Sequence, residues 1–267
     1  MTEYKIGFIG AGNIATAIFS GIVTSGYIKP QNVYCFDPDE NKTSIWAEKG
    51  AKPCASAEEL VLTCDFVFLT VKPQIYSSVL TTIKNVAQNT CFVDVAAGIS
   101  ISYVKQTLGF DAPVVRVMPN TPLMYGMGSS ALVKCEPVTD EQFSFVKGCF
   151  ASCGETAVVD EDCINTVIAV SGSAPAYIMR FAKLFIDYAV VNGIDKQSAE
   201  NLVLQVFAGS SEMIKRSELS VSQLIDMVTS PNGTTAAGLA SLNESDFDGS
   251  VKRCFEATIK RAEELSK

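Results

Sequence analysis

The chain has 267 residues, of which 48% are hydrophobic and 19% charged, and its formal net charge is −8. This length and composition suffice for a large core and predict two domains. The negative charge argues against nucleic acid or an anionic membrane as a main partner. The sequence has no histidine, which excludes dehydrogenases that protonate an alkoxide with that side chain. Because the commonest metal ligand is also missing, no metal site is predicted.

The start of the chain and the cysteines indicate the compartment. Residues 1–5 lead directly into an apolar strand without a signal peptide, and no apolar run reaches membrane-spanning length. The nine cysteines include no Cys-x-x-Cys pair. We therefore expect a cytoplasmic protein whose thiols are small core residues, and we interpret the helical spacing of Cys149 and Cys153 as packing.

Strands and helices alternate through the first part of the chain. Apolar runs predict strands at residues 5–10, 33–36, 66–71, 91–95, 114–118, 129–133 and 157–159. Amphipathic periodicity predicts helices at residues 13–25, 41–49, 76–85, 102–108 and 140–151. The first helix places Ile14, Ile18 and Ile22 on one face. The alternation predicts an α/β fold, a doubly wound Rossmann-type sheet, over residues 1–160.

Only helical patterns follow residue 160. The predicted helices are residues 163–169, 176–191, 196–216, 221–228, 234–243 and 247–265. They predict an all-helical second domain over residues 161–267. The helix at 176–191 is apolar on more than one face, which indicates an interface between subunits, with burial inside one large subunit as the alternative.

A dinucleotide fingerprint joins the first strand to the first helix. It has the Gly-x-Gly-x-x-Ala form, in which small residues allow a tight turn, close approach of a pyrophosphate and packing of helix on strand. Its context, directly after an apolar strand and before an amphipathic helix, predicts nucleotide binding. The predicted contacts are Ile9, Gly10, Ala11, Gly12, Asn13 and Ile14.

Further cofactor contacts are predicted where strands end. Asp37 follows the second strand, where an acid accepts the ribose hydroxyls of NAD and repels a 2′-phosphate. Lys42 is the only cation in the next ten residues, which favours NADH over NADPH. Ligands bind at the carboxyl ends of strands in open α/β sheets. This rule predicts contacts from Val71, Lys72, Pro73, Ala96, Ala97, Gly98 and Asn120.

Two features suit an anionic substrate. The turn at residues 229–239 combines hydroxyls with small residues and runs into a helix, so its free N–H groups and the helix dipole favour a carboxylate. Arg116 lies on an apolar strand, where it either anchors the substrate or pairs with a carboxylate at the sheet edge. The turn at residues 229–239, with the fingerprint, predicts a reductase of a small carboxylate.

Several motifs together resemble the pyrroline-5-carboxylate reductase family over nearly the whole chain. The motifs are residues 7–15, 71–74, 96–98, 116–122, 171–177 and 229–239. The last two, in this order and separation, are the most specific. The resemblance implies reduction of 1-pyrroline-5-carboxylate to L-proline by NADH or NADPH, the last step of proline biosynthesis. It also implies a helical domain that forms homodimers and larger rings of dimers.

The resemblance also assigns the substrate-binding turn. Ser230, Asn232, Gly233 and Thr234 would surround the carboxylate in a loop of the partner subunit, and Thr235 would hydrogen-bond the ring nitrogen. The family usually has glycine where Asn232 stands. Because asparagine tolerates a left-handed backbone, we expect the loop to keep its shape. The family also has glycine at position 174, where this chain has Ala174 beside Pro175, a residue suited to a helix start.

Other interpretations remain open from the sequence. A β-hydroxyacid dehydrogenase shares the fingerprint and a helical second domain, but it relies on a lysine in the helix corresponding to residues 163–191, where this chain has only Arg180 and Lys183. A sensor that binds the dinucleotide without turnover is a second alternative. The substrate's ring size, five or six members, is a third open point.

Overall fold

The computed structural model describes residues 4–265 as two compact units. The first unit contains the described residues up to Pro175 together with residues 257–265, and the second is Ala176–Glu256. The predicted boundary at residue 160 marks the end of the strands, whereas the compact units separate at Pro175. The reason is that Ile164 and Ile168 are buried in the core of the first unit.

A single sheet forms the centre of the first unit. Its strands are β1 (Ile6–Ile9), β2 (Val33–Phe36), β3 (Lys52–Pro53), β4 (Phe66–Leu69), β5 (Cys91–Asp94), β6 (Val114–Met118), β7 (Gly128–Val133) and β8 (Gly154–Val158). They lie in the order β3-β2-β1-β4-β5-β6-β7-β8, and only β6 and β7 are antiparallel neighbours. The predicted doubly wound α/β sheet is confirmed. The short edge strand β3 is an addition to the prediction.

Helices cover both faces of this sheet and make up the second unit. They are α1 (Asn13–Thr24), α2 (Glu40–Glu48), α3 (Ala57–Thr63), α4 (Tyr76–Ile83), α5 (Ile101–Leu108), α6 (Asp140–Ala151), α7 (Ile164–Val167), α8 (Ala174–Val191), α9 (Lys196–Arg216), α10 (Val221–Met227), α11 (Thr234–Glu244) and α12 (Phe247–Leu265). Only α3 has no counterpart among the predicted helices. Its capping signal is present in the sequence, because Ser56 Oγ accepts the Glu59 N–H and Glu59 Oε2 accepts the Ala55 N–H.

The sheet is buried on both faces, which explains its unbroken apolar strands. In β4, Phe66 and Phe68 belong to one hydrophobic cluster, while Val67 and Leu69 belong to another. Successive side chains of a strand point to opposite faces. A parallel sheet covered by helices on both faces therefore needs an apolar residue at every position of such a strand.

The cysteines are packing residues for the most part. All nine are free thiols, and five of them are buried, while Cys163 is exposed. Cys149 and Cys153 lie in and directly after α6, and the Cys153 thiol contacts the Cys149 carbonyl at 3.0 Å. Burial raises the pKa of both thiols, which keeps them unreactive. Within residues 4–265, the Cys, Asp and Glu side chains form no group of three that could hold a metal ion.

The second unit buries little of its own apolar surface. In α8 the only buried residue is Ala182, and α11 buries none. The rings of Phe181, Phe185, Phe207 and Phe247 contact one another with centroids 4.9–6.1 Å apart. Large apolar side chains remain exposed at Ile178, Met179, Leu184, Tyr188, Val191, Leu202, Leu204 and Val206. No helix within residues 4–265 is long and apolar enough to span a membrane.

Candidate active site

The glycine-rich loop after β1 is held between two neighbouring strands. Gly10 has a φ of 97°, and its N–H donates to Phe36 O at 2.8 Å. Thr70 Oγ1 lies 2.9 Å from Ile9 O and 2.7 Å from Gly10 O. A side chain at Gly10 would come within 2.9 Å of Thr70 O. This position therefore requires glycine for both its backbone angle and its close contact.

The N-terminus of α1 is open to a ligand. Gly12 caps the helix without a side-chain hydrogen bond, and the first turn carries no acidic residue. A Cβ on Gly12 would meet no protein atom within 4 Å. The small Ala15 is fully buried, as the fingerprint requires for packing of α1 on the sheet. Free N–H groups, the helix dipole and open space at Gly12 suit the pyrophosphate of a dinucleotide.

The other residues of the fingerprint differ in how deeply their side chains are buried. Ile9 and Ala11 are buried, and Ile14 is half-buried against the core. Asn13 begins α1 and is exposed. The predicted face of α1 is also present, since Ile18 and Ile22 are fully buried.

Asp37 is bound to the glycine-rich loop itself. Its Oδ2 accepts the Ala11 N–H at 2.9 Å, and its Oδ1 accepts the Asp39 N–H at 3.0 Å. Lys42 Nζ lies 3.4 Å from Oδ1. Burial acts to raise the pKa of Asp37, but the two backbone donors and the Lys42 charge together hold it below its ordinary value. Asp37 is therefore an ionised side chain at the end of β2.

A cleft of about 490 Å³ opens beside Asp37. Its lining residues are Phe36, Asp37, Pro38, Glu40, Thr43, Ser44, Pro53, Cys54 and Ala55. The charged residues of this lining, Asp37 and Glu40, are both acidic.

The loops after β4 and β5 have different exposure. Lys72 is exposed before a 3₁₀ turn that starts at Pro73, and Val71 is half-buried. After β5, Ala96 is buried and Ala97 half-buried. Gly98 has a φ of 79°, and a side chain there would come within 2.7 Å of Leu265 O at the end of α12. The end of α12 therefore accounts for glycine at this position.

Asn120 has protein partners for both groups of its amide. Its Oδ1 accepts the Ser129 N–H at 2.9 Å, and its Nδ2 donates to Ser171 O at 3.4 Å. The side chain is buried and joins β7 to the turn before α8. Its contact with a cofactor stays a prediction.

Arg116 pairs with a carboxylate, the second of the two roles considered for it. Its guanidinium lies 2.8 Å from Glu161 Oε1, which also accepts the Ile101 N–H at 2.9 Å. Arg116 is only 5% exposed. The sequence prediction did not single out Glu161, although it stands in an acidic run, residues 160–162, directly before a helix.

The sequence prediction also did not single out a buried carboxyl group, that of Asp94 at the end of β5. Asp94 is fully buried, and Tyr76 Oη lies 2.7 Å from its Oδ1 and 2.7 Å from Leu69 O. The same Oδ1 accepts the Ala96 N–H at 3.0 Å. A charged residue that ends an otherwise apolar strand and precedes a row of small residues is the signal that could have found it.

The turn before α11 has the form expected for it. Asn232 has a φ of 59°, so it does adopt the left-handed backbone. The Gly233 N–H donates to Ser230 O at 3.0 Å, which closes the turn. A side chain on Gly233 would collide with Ser230 Oγ. The asparagine therefore takes the place of glycine at the left-handed position, and a methyl group on Gly233 would displace the Ser230 hydroxyl.

This turn presents unpaired donors. Gly233 caps α11 without a side-chain hydrogen bond, and the first turn has no acidic residue. The backbone ladder begins with the Ala237 N–H, which donates to Gly233 O at 3.1 Å. Within residues 4–265, the exposed hydroxyls of Ser230, Thr234 and Thr235 have no hydrogen-bond partner. Hydroxyl donors at an uncapped helix N-terminus suit a carboxylate.

Family comparisons match both parts of the chain. Residues 5–98 match a model described as NADP oxidoreductase coenzyme F420-dependent, and residues 161–265 match one described as pyrroline-5-carboxylate reductase dimerisation. With the open glycine-rich loop of the Rossmann-type sheet, the first match defines a nicotinamide-dependent oxidoreductase.

Full-length relatives identify the family. The chain is 33% identical to pyrroline-5-carboxylate reductase of Escherichia coli (strain K12), with 99% of each chain covered. It is 34% identical to the Staphylococcus aureus (strain COL) enzyme of the same name, with 98% of each covered. A Plasmodium falciparum pyrroline carboxylate reductase crystal structure with NADP bound superposes with a TM-score of 0.93, at 33% identity and full coverage of both chains. The chain belongs to the pyrroline-5-carboxylate reductase family.

Proposed function

We propose that this protein reduces 1-pyrroline-5-carboxylate to L-proline with a reduced nicotinamide dinucleotide, the last step of proline biosynthesis. Family membership over the full length supports this reaction. The observation that carries it is that two helices, α1 and α11, begin at a glycine N-cap, Gly12 and Gly233, with no side-chain cap and no acidic residue in the first turn. The N-terminus of α1 suits a pyrophosphate, and the N-terminus of α11 suits a carboxylate.

The chain's own residues bind and orient the reactants. The N-terminus of α1 with Gly10 and Gly12 holds the dinucleotide, and the loops at 71–73 and 96–98 lie beside it. When bound, the reduced nicotinamide supplies a hydride. The substrate carboxylate accepts hydrogen bonds from Ser230, Thr234 and the free N–H groups of α11.

No histidine is needed for this reaction. A protonated cyclic imine is already electrophilic, so a carbon–hydrogen bond forms at the imine carbon while the C=N electron pair moves to nitrogen. The product nitrogen is then an amine, and no further acid is required. Thr235 hydrogen-bonds the ring nitrogen and orients it.

The direct test is the loss of nicotinamide absorbance when the purified protein is mixed with pyrroline-5-carboxylate. NADH and NADPH are compared in parallel reactions. Rapid loss with either cofactor supports the reductase. Cofactor binding without turnover would instead favour the sensor alternative, and turnover only with a six-membered cyclic imine acid would reassign the substrate.

We also propose that the protein is a homodimer, which associates further into a ring of dimers. The match to a dimerisation model and the exposed apolar side chains of the second unit support the dimer. Sedimentation or light scattering would measure the mass. A monomer at micromolar concentration would contradict the proposal.

The acidic cleft supports a preference for NADH. Asp37→Ser should lower the ratio of kcat/KM for NADH to that for NADPH about tenfold, equivalent to about 1.4 kcal/mol, because it removes the charge that repels a 2′-phosphate. Asp37→Asn is the matched variant, because it removes the charge but keeps an oxygen for the Ala11 N–H. An unchanged ratio in both variants would mean that Asp37 does not select the cofactor.

The turn before α11 can be tested through its glycine. Gly233→Ala should raise the KM for the imine acid about tenfold, equivalent to about 1.4 kcal/mol, because the methyl group displaces the Ser230 hydroxyl. The φ of −83° at Gly233 suits alanine, so thermal unfolding should change little. Gly209→Ala is the control, since its Cβ would meet no atom within 4 Å beyond the backbone of its own helix α9. Equal KM values for the two variants would exclude Ser230 from substrate binding.

A further inference from the structure

The hydroxyl of Tyr76 has two close oxygen neighbours but only one hydrogen. Leu69 O and Asp94 Oδ1 both lie 2.7 Å from Tyr76 Oη, the usual distance for a good O–H···O hydrogen bond. A phenol can donate once, and a backbone carbonyl can only accept. The Tyr76 hydrogen is therefore directed to Leu69 O, and the second contact needs a hydrogen from the Asp94 carboxyl group.

The surroundings of the second oxygen of Asp94 also favour the protonated form. Asp94 Oδ2 is buried and has no hydrogen-bond partner. The nearby cation, Arg116, forms its ion pair with Glu161. A fully buried carboxylate without a paired cation is strongly disfavoured, whereas the carbonyl oxygen of a neutral acid is tolerated much better.

The groups around Asp94 act in opposite directions. Burial raises the pKa of Asp94 to about 6, although Tyr76 of α4, the Ala96 N–H and Arg116 of β6 favour the charged form. Glu161, before α7, favours the neutral form. The balance of these groups keeps the pKa of Asp94 above its ordinary value, which favours the neutral acid in the folded protein.

We propose that the folded protein holds Asp94 as a neutral carboxylic acid at mildly acidic pH, where it donates to Tyr76 and thereby positions the cofactor-binding loops after β4 and β5. The chain of hydrogen bonds runs from Asp94 to Tyr76 to Leu69 O, directly before residues 70–73. The same oxygen, Asp94 Oδ1, also accepts the Ala96 N–H and so holds residues 96–98. The role of these loops rests on the proposed function, whereas the protonation state does not.

The sign of the pH dependence follows from the raised pKa. Below the ordinary carboxyl pKa, Asp94 is protonated in both the folded and the unfolded chain. As the pH rises from there through the pKa of folded Asp94, only the unfolded chain releases its proton, so the stability falls. Asp94→Asn should remove this decrease from the pH profile of the unfolding temperature, because an amide does not titrate.

Infrared difference spectroscopy tests the protonation without any turnover. The wild type at pH 5 should show the C=O stretching band of a buried carboxylic acid, absent in Asp94→Asn and shifted to higher frequency in Tyr76→Phe, which removes the acceptor. If Asp94→Asn fails to fold, the shift in Tyr76→Phe still decides the assignment. The lack of such a band, or a band unaffected by Tyr76→Phe, would overturn the proposal.

Kinetics test the positioning role. Tyr76→Phe should raise the KM or Kd for the dinucleotide about tenfold, equivalent to about 1.4 kcal/mol, with kcat within about threefold of wild type. Tyr103→Phe is the matched control, since the Tyr103 hydroxyl has no hydrogen-bond partner within residues 4–265. If the protein does not turn over, the Kd from nicotinamide fluorescence replaces the KM. Unchanged dinucleotide affinity in Tyr76→Phe would overturn the positioning role.

Discussion

Gly12→Ala should raise the Kd for the dinucleotide about a hundredfold, equivalent to about 2.7 kcal/mol, while the unfolding temperature stays the same. The φ of −79° at Gly12 suits any residue, and its Cβ would meet no protein atom within 4 Å. The folded protein therefore tolerates the methyl group. A pyrophosphate at the N-terminus of α1 does not, because it needs close approach to the backbone. Nicotinamide fluorescence and calorimetry measure the two quantities.

Gly10→Ala is the informative contrast to this variant. Gly10 has a φ of 97°, and an alanine methyl group there would contact Thr70 O, so the folded protein is strained even without a ligand. The free energy of unfolding should therefore fall by about 2–3 kcal/mol. Gly109→Ala, with a φ of 82° and no neighbour within 4 Å, controls for backbone strain away from the loop. Normal dinucleotide affinity in Gly12→Ala would show that the open helix N-terminus is not the pyrophosphate site.

Thr235→Val should lower kcat about a hundredfold, within the range expected for loss of one proton-transferring or hydrogen-bonding group, with little change in stability. Valine keeps the shape of the side chain and removes only the hydroxyl. That hydroxyl is exposed and has no partner within residues 4–265, so the fold does not depend on it. Single-turnover kinetics with a saturating dinucleotide measure the chemical step.

Thr235→Ser provides the matched control, because it retains the hydroxyl and should keep most of the activity. The KM should change less than kcat in Thr235→Val, since Ser230, Thr234 and the free N–H groups of α11 still bind the carboxylate. Wild-type kcat in Thr235→Val would exclude Thr235 from orienting the ring nitrogen. A rise in KM alone would make Thr235 a carboxylate ligand only.

The elements missed from the sequence are short ones. The helix α3 and the strand β3 lack the long apolar periodicity that revealed the other elements, and the ladder to β2 holds the two residues of β3. The cap at Ser56 and Glu59 was the available signal. Longer elements, such as α6 and α12, follow the predicted bounds because many turns of periodic pattern specify them.

Much of the candidate site was predictable because its signals are local. The glycine spacing predicts the loop after β1, and the left-handed backbone of Asn232 follows from the tolerance of asparagine for positive φ. The pairing of Arg116 was only one of two alternatives, because Glu161 lies far along the chain. Asp94 and Tyr76 were not predicted, since their contact joins different elements.

The sequence by itself determined the alternation of elements, the glycine-rich loop and the family, because each depends on residue types at fixed spacing. Only the tertiary structure decided which polar groups meet. It bound Asp37 to the Ala11 N–H, placed the end of α12 against Gly98, and buried Asp94 beside Tyr76. The physical reason is that burial and the partners of a polar group depend on contacts between residues distant in the chain, and these set its charge.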